Sequence, residues 1–344
     1  MKPLRVIFMG TPAFSAAIFN QLLHLETRNL IEIVGVVTRA DRPEGRRKVL
    51  KPSPLKKALL SIGKEQLLLE TDKVKQIHPQ LKARQADLIV VAAFGQILSE
   101  EVLNSSRLGS YNIHTSLLPK FRGAAPIQRA ILAGCSETGV TLMQMVRGLD
   151  AGAMLKKAVI SLPPYITYGE LEQKLIALSE SLLEYLVTQA SRARSKEEFE
   201  MQFEEQNEEE VTWAEKVEKL EARIDFSEHI DSVAQKICAF DPKPGSYGFY
   251  CVGKSDASQN PSELKRIKFF GVRETMLFVQ NSEFEQLSAN QSPGDLIYSE
   301  GKCLGVLCGK GIVSLKEVQP EGRNKMPFNA WLRGSAQQQN IRFV

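Results

Sequence analysis

The sequence predicts an α/β protein: a doubly wound, mostly parallel sheet followed by a small C-terminal β-barrel. Three observations carry that prediction. Short apolar runs alternate with helix-period segments through the first half of the chain, the pattern of crossover units. At 344 residues the chain exceeds most single domains, so two are expected. Beyond residue 211 the texture changes to short strand candidates separated by frequent turn signals, the pattern of a small barrel.

Taken in order, residues 2–10 read as a buried strand ending in a glycine turn, 13–25 as a helix and 31–38 as a second strand. The continuous apolar run 87–95 and the stretches 110–118 and 138–145 give three more strands. Binding sites in open sheets of this kind lie beyond the carboxyl ends of the strands. The Phe94-Gly95 turn, Asn112 and His114 all fall at such ends. The segment 170–190 has helical spacing, with Leu171, Leu175, Leu178, Leu182 and Leu186. It gives way to a basic then acid-rich stretch ending at Glu210, read as a part-helical, solvated linker. The expected organisation is a first domain over 1–189, a charged linker over 190–211 and a second domain over 212–344. In the last of these, strands are expected at 247–252, 266–272, 295–298, 304–308 and 312–318. Turns such as Asp241-Pro242-Lys243-Pro244-Gly245 and Gly309-Lys310-Gly311 separate them.

Composition narrows the function classes. Hydrophobic content of 43% with 24% charged residues is ordinary for a soluble globular chain. No apolar run reaches the roughly 18 residues of a membrane span, and the N-terminal run is too short for a signal peptide. A cytoplasmic protein with no membrane partner is expected. Five scattered cysteines argue against a disulfide framework and offer no zinc spacing. The net charge of +4 divides unevenly: +8 over 1–189, −5 over 190–211 and +1 over 212–344. The N-terminal excess is compatible with a polyanionic partner.

Gly10-Thr11-Pro12 follows the first strand but lacks the remaining glycines of a dinucleotide fingerprint, so it reads chiefly as strand-to-helix punctuation. Residues 41–57 hold seven positive and two negative side chains, with three prolines and a glycine that prevent a continuous helix. An exposed positive loop there, including Arg42, Arg46, Arg47 and Lys48, suits phosphate contacts, and a solvated surface loop is the bland alternative. The third feature is Asn112-Ile113-His114-Thr115-Ser116-Leu117-Leu118-Pro119, with Leu149-Asp150-Ala151-Gly152 further on. In a strand, residues i and i+2 project from one face, so the carboxamide of Asn112 and the imidazole of His114 point into one crevice. Of four histidines, only His114 sits beside other chemically capable groups on an expected strand. Separately, each of these residues has a structural account as a capping amide, a core histidine and a turn aspartate.

Together they resemble the folate-dependent formyltransferase family. The resemblance rests on the Asn-x-His…Asp set, on the run from His114 to Gln128, and on Gly139-Val140-Thr141-Leu142-Met143-Gln144-Met145. Ala222-Arg223-Ile224-Asp225-Phe226 and the opening Phe8-Met9-Gly10-Thr11-Pro12 extend it over nearly the whole chain. It implies a Rossmann-like catalytic domain with an OB-like barrel appended, and transfer of a formyl group from 10-formyltetrahydrofolate to the amino group of initiator methionyl-tRNA. It further implies Asn112, His114 and Asp150 as catalytic residues, and Ser116, Leu117, Leu118 and Pro119 with Phe94 and Gly95 as the folate-binding segment. By the same resemblance, the loop with Arg42, Arg46, Arg47 and Lys48 would meet the tRNA acceptor end, and the C-terminal domain the outer part of the tRNA. No metal is expected, since the donor is already activated. A monomer suits a protein that must embrace a large RNA. The rival readings are a related folate enzyme acting on an amino sugar or a purine precursor, or hydrolysing the donor, a non-catalytic RNA-binding protein, and a nicotinamide-dependent oxidoreductase.

Overall fold

A computed structural model describes residues 2–44, 48–200, 203–252, 264–273, 288–334 and 341–344. The chain divides into two compact units. One comprises 1–126, 137–160 and 172–215, the other 127–136, 161–171 and 216–344.

The first unit is built on strands β1 (Leu4–Gly10), β2 (Ile31–Thr38), β5 (Leu68–Glu70), β6 (Leu88–Ala92), β7 (Ser110–His114), β9 (Glu137–Gln144) and β10 (Met154–Ser161). They form one sheet in the order β10-β9-β7-β6-β1-β2-β5. The pairs β1–β2, β1–β6, β2–β5 and β6–β7 are parallel, and β7–β9 is antiparallel. Every residue of β6 and β7 is buried. Strands covered on both faces read as unbroken apolar runs, which is why the sequence pattern located β6 so readily. The expected helix after β1 is α1 (Ala13–Thr27). Gly10 makes that turn: a Cβ there would stand 2.4 Å from Ser15 Cβ and 2.9 Å from the Ala92 carbonyl oxygen. Ser15 Oγ donates to that carbonyl at 2.5 Å and accepts from the Thr11 amide at 3.0 Å. The Gly-Thr-Pro motif is therefore punctuation that fastens α1 to β6.

Two stretches differ from the sequence reading. The basic loop is in part a hairpin of β3 (Arg42–Glu44) and β4 (Val49–Lys51), paired antiparallel from Arg42 with Lys51 to Glu44 with Val49. Prolines exclude a helix there but not a short edge ladder. The stretch 190–211 is not solvated throughout, as a linker would be. It holds the helix Lys196–Glu200, and Phe199 is fully buried. The rings of Phe199 and Phe203 meet Tyr111 edge-on at 5.4 and 5.9 Å and each other at 5.3 Å. Two phenylalanines four apart make one apolar stripe, and eight acidic neighbours in the same stretch hide it from composition. Inside this cluster burial pushes the Tyr111 phenol far above its ordinary pKa, and its hydroxyl donates to the Leu108 carbonyl at 2.6 Å.

The second unit contains β12 (Ser246–Val252), β13 (Lys265–Val272), β17 (Leu315–Pro320), β18 (Met326–Pro327) and β19 (Ile341–Phe343). These form a five-stranded sheet in the order β18-β17-β13-β12-β19, with every pair antiparallel. Strands β14 (Leu296–Ser299), β15 (Lys302–Leu307) and β16 (Ile312–Val313) make a second antiparallel sheet. Among the described residues the two ladders do not merge into one continuous barrel; an isolated bridge joins Asp295 to Arg342. Phe226, Phe269, Phe343 and Trp331 pack around one another beneath the larger sheet. The five cysteines are all free. Among the described residues no helix is long and apolar enough to cross a membrane.

Phe199→Ala is expected to destabilise the protein by about 3–5 kcal/mol, the range for truncating a buried ring. Urea unfolding measures this, and a loss below about 1 kcal/mol would show that the acidic stretch is not part of the core.

Candidate active site

Strand β7 ends where the site begins. Its register places Asn112 beside Val91 on one side and Met143 on the other, and His114 beside Thr141. Tyr111 and Ile113 face the opposite way, so the alternation sends Asn112 and His114 to one face together. Asn112 is only 9% exposed. Among the described residues its carboxamide has no hydrogen-bond partner. Its polar atoms are not among the fully buried ones that lack a partner, so they keep contact with solvent and are free to donate to a ligand. His114 is 5% exposed. Its Nε2 lies 3.0 Å from the Phe121 carbonyl oxygen. A carbonyl only accepts, so Nε2 carries a proton in this contact. Nδ1 lies 3.6 Å from Asp150 Oδ2. Both ring nitrogens thus face oxygens.

Asp150 follows β9 in the loop leading to β10, with a left-handed φ of 49°. Aspartate is among the few residues with a side chain that visit that region readily. Its Oδ2 accepts from the Gly123 amide at 3.0 Å. Gly123 has a φ of 128°, and a Cβ there would stand 2.6 Å from the Ala214 carbonyl oxygen. Only glycine lets these two backbones meet. The short strand β8 (Arg122–Gly123) pairs in parallel with β11 (Trp213–Ala214) at this point.

Behind the aspartate lies a set of side chains that sequence reasoning missed. Gln206 Nε2 donates to the Asp150 carbonyl at 2.8 Å and to the Gly152 carbonyl at 2.7 Å. Gln206 Oε1 accepts from Arg122 Nε at 2.9 Å. The Arg122 guanidinium reaches both Glu208 carboxylate oxygens, at 2.7 and 3.3 Å, and holds that carboxyl below the usual range. Arg122 and Gln206 are both buried. A buried polar pair inside an acidic stretch leaves no periodic trace. The one available signal was Arg122 at the head of the uncharged run Gly123-Ala124-Ala125-Pro126.

The segment implied to bind folate is occupied with its own backbone. Ser116 is fully buried, and its Oγ donates to the Lys120 carbonyl at 2.6 Å. Thr141 Oγ1 donates to the Ser116 carbonyl at 2.7 Å and accepts from the Leu118 amide at 3.1 Å. Leu118 packs with Met143 and Met154, Pro119 is buried, and Leu117 is half-buried. The Leu118–Pro119 peptide is cis. Phe94 is buried in the core with Leu98, where half-buried Met145 joins it. Gly95 is exposed with a φ of 74°. That packing brings the loops after β6 and β9 side by side. Three large apolar side chains on these two loops remain open: Ile97 at 85% exposure, Val146 and Leu149. Ile97 and Val146 were not singled out from the sequence, and Leu149 only as the neighbour of Asp150.

Arg42 is exposed on the hairpin and 3.2 Å from Asp72. Lys48 is exposed, with a φ of 49°. Arg46 and Arg47 lie outside the described residues. Among the described residues, no group of three or more His, Cys, Asp or Glu could hold a metal ion.

The family described as formyl transferase matches residues 4–187, and its C-terminal domain family matches residues 216–336. The methionyl-tRNA formyltransferase of Protochlamydia amoebophila (strain UWE25) is 33% identical over 340 residues, covering 98% of this chain and 97% of that protein. The methionyl-tRNA formyltransferase of Alcanivorax borkumensis (strain ATCC 700651 / DSM 11573 / NCIMB 13689 / SK2) is 37% identical over 336 residues, covering 97% of this chain and 92% of that protein. Among solved structures, HypX from Aquifex aeolicus in complex with tetrahydrofolic acid superposes with a TM-score of 0.60 at 16% identity. It covers 96% of this chain, which spans about half of HypX (47%), and the likeness is one of fold. The fold, the matched domains and the full-length relatives agree on an enzyme of formyl group transfer: the chain belongs to the methionyl-tRNA formyltransferase family of formyl transferases.

Proposed function

We propose that this chain transfers the formyl group of 10-formyltetrahydrofolate to the α-amino group of methionine on initiator tRNA, working in the cytoplasm as a monomer. The observation that carries this reading is the unpaired carboxamide of Asn112 beside His114, whose imidazole is backed by Asp150. An α-amino group titrates near roughly 7.7–8.0, so a useful fraction is neutral. Its nitrogen attacks the formyl carbon, a C–N bond forms, and the carbonyl oxygen becomes an oxyanion. Asn112 donates to that oxygen. His114 lies beside it and passes the proton lost by the amine to the folate nitrogen as the old C–N bond breaks. Asp150 fixes the orientation of the imidazole. The exposed Ile97, Val146 and Leu149 suit the flat ring of the donor, because concave sites for such groups are mostly apolar with few polar anchors. The buried Ser116–Pro119 stretch, in this reading, shapes the floor and leaves ligand contact to its backbone.

We assign the chemistry to the first unit, within residues 1–189 and the stretch that follows up to 215, and recognition of the outer tRNA to the second unit from 216 onward. Arg42 and Lys48, with Arg46 and Arg47, make the hairpin a phosphate-binding element. In the second unit, Arg266 stacks over Tyr247 at 4.1 Å and Arg223 over Phe249 at 5.7 Å. A guanidinium held flat on a ring keeps its N–H edge for phosphate.

Three outcomes are expected. Purified protein should formylate charged initiator tRNA much faster than free methionine or an amino sugar; a preference for the small amines would favour the related folate enzymes. Asn112→Ala and His114→Ala should each lower kcat by about 10²–10³ with the fold intact by circular dichroism, the loss seen when one preorganised oxyanion donor is removed. Near-normal turnover in either would break the assignment. Arg42→Ala combined with Arg46→Ala should raise KM for tRNA and flatten its dependence on salt; an unchanged salt slope would leave the hairpin as solvated surface.

A further inference from the structure

We propose that the Gln206 amide, locked by Arg122 and Glu208, is the positioning device that holds Asp150 against His114. The inference rests on the formyl-transfer reading above and adds to it residues that never touch the substrate.

The loop carrying Asp150 is improbable on its own. Asp150 sits at a left-handed φ, and the backbone carbonyls of Asp150 and Gly152 converge on one point. Two carbonyl oxygens drawn together repel unless a donor lies between them. The Gln206 –NH₂ has two N–H bonds and gives one to each. Its orientation is fixed because Arg122 Nε occupies its oxygen, and a flipped amide would set NH₂ against guanidinium. Arg122 in turn is held by the two-point pairing with Glu208. The same stretch of chain closes the other side of the site. Thr212 Oγ1 accepts from the Phe121 amide at 2.8 Å, and the Ala214 carbonyl accepts from the Ala124 and Ala125 amides at 2.8 and 3.1 Å. Phe121 supplies the carbonyl that faces His114 Nε2, and Gly123 supplies the amide that binds Asp150 Oδ2. Residues 204–214 therefore fasten both loops whose groups face the imidazole. A further pair, the Met154 and Glu204 backbones, exchanges hydrogen bonds at 2.7 and 2.8 Å at one end of this strap.

The physical consequence is directional. The strap's hydrogen bonds go to loop backbone and to Arg122 rather than to Asn112 or the imidazole, so its effect is expected on kcat and not on substrate affinity. It sets the distance and angle between carboxylate and imidazole, on which the proton-handling step depends. Misplacement of a reacting group by about 1 Å can cost 10²-fold in rate.

The decisive variants are Gln206→Glu, which keeps size and the Arg122 contact but turns both donors into acceptors, and Glu208→Gln, which weakens the lock at an exposed position. Full-length protein is assayed with 10-formyltetrahydrofolate and charged initiator tRNA, together with thermal melting. Q206E is expected to lose about 10–100-fold in kcat, with KM for both substrates within about threefold and the alkaline or acid limb of its pH–rate profile displaced. E208Q is expected to show a smaller loss of the same kind, and Gln206→Ala a loss at least as large as Q206E. Unchanged kcat in Q206E, or a loss that only follows the fraction unfolded with the pH profile unmoved, overturns the inference. If the unsubstituted protein itself fails to formylate the tRNA, the functional reading falls, and amide hydrogen exchange then decides the strap independently. Faster exchange at 121–125 and 149–153 in Q206E supports it, and identical exchange refutes it.

Discussion

The Asp150 carboxylate, set between the imidazole of His114 and the amide of Gly123, is the contact on which the site depends. It joins the end of a central strand to the loops that carry Gly123 and Asp150. Without it, His114 would be a buried histidine bonded to one carbonyl. With it, a carboxamide, an imidazole and a carboxylate belong to one small volume at the carboxyl end of β7. The parallel sheet supplies rigidity, since β6 and β7 are buried on both faces and neither can tilt without disturbing the core. The loops supply the chemistry, as they do in most folds of this architecture.

Much of this was legible in the sequence because it is written in short-range pattern. The unbroken run of β6 and the β2 boundaries follow from apolar content bounded by turn residues. The shared face of Asn112 and His114 follows from a period of two. The strand-rich texture beyond residue 211 follows from turn spacing, although the arrangement into five- and three-stranded sheets does not. Asp150 was legible only through family resemblance. Nothing local says that an aspartate in a glycine-flanked loop will reach a histidine thirty-six positions earlier.

What escaped is long-range and polar. Gln206 lies in a stretch whose acidic composition argues for solvent, yet it is buried and bonds to residues 84 and 56 positions away. Phe199 and Phe203 are the matching apolar anchors, and two rings among eight carboxylates do not shift an average. The basic loop was misread for the opposite reason. Its prolines forbid a helix, and a three-residue ladder leaves too few residues for a period to show. For the segment that the resemblance implies to bind folate, the resemblance says nothing of the use of each side chain. Ser116 and Leu118 turned out to hold the loop, whereas Ile97, Val146 and Leu149 stand open beside it.

The central claim is that Asp150 acts through His114 rather than beside it. Single-turnover formyl transfer by His114→Asn, Asp150→Asn and the double variant tests it directly, because groups that act as a unit give non-additive losses. The account predicts that the double variant is within about threefold of His114→Asn alone. Losses that multiply in the double variant would contradict it, and would mean that the carboxylate and the imidazole serve separate steps.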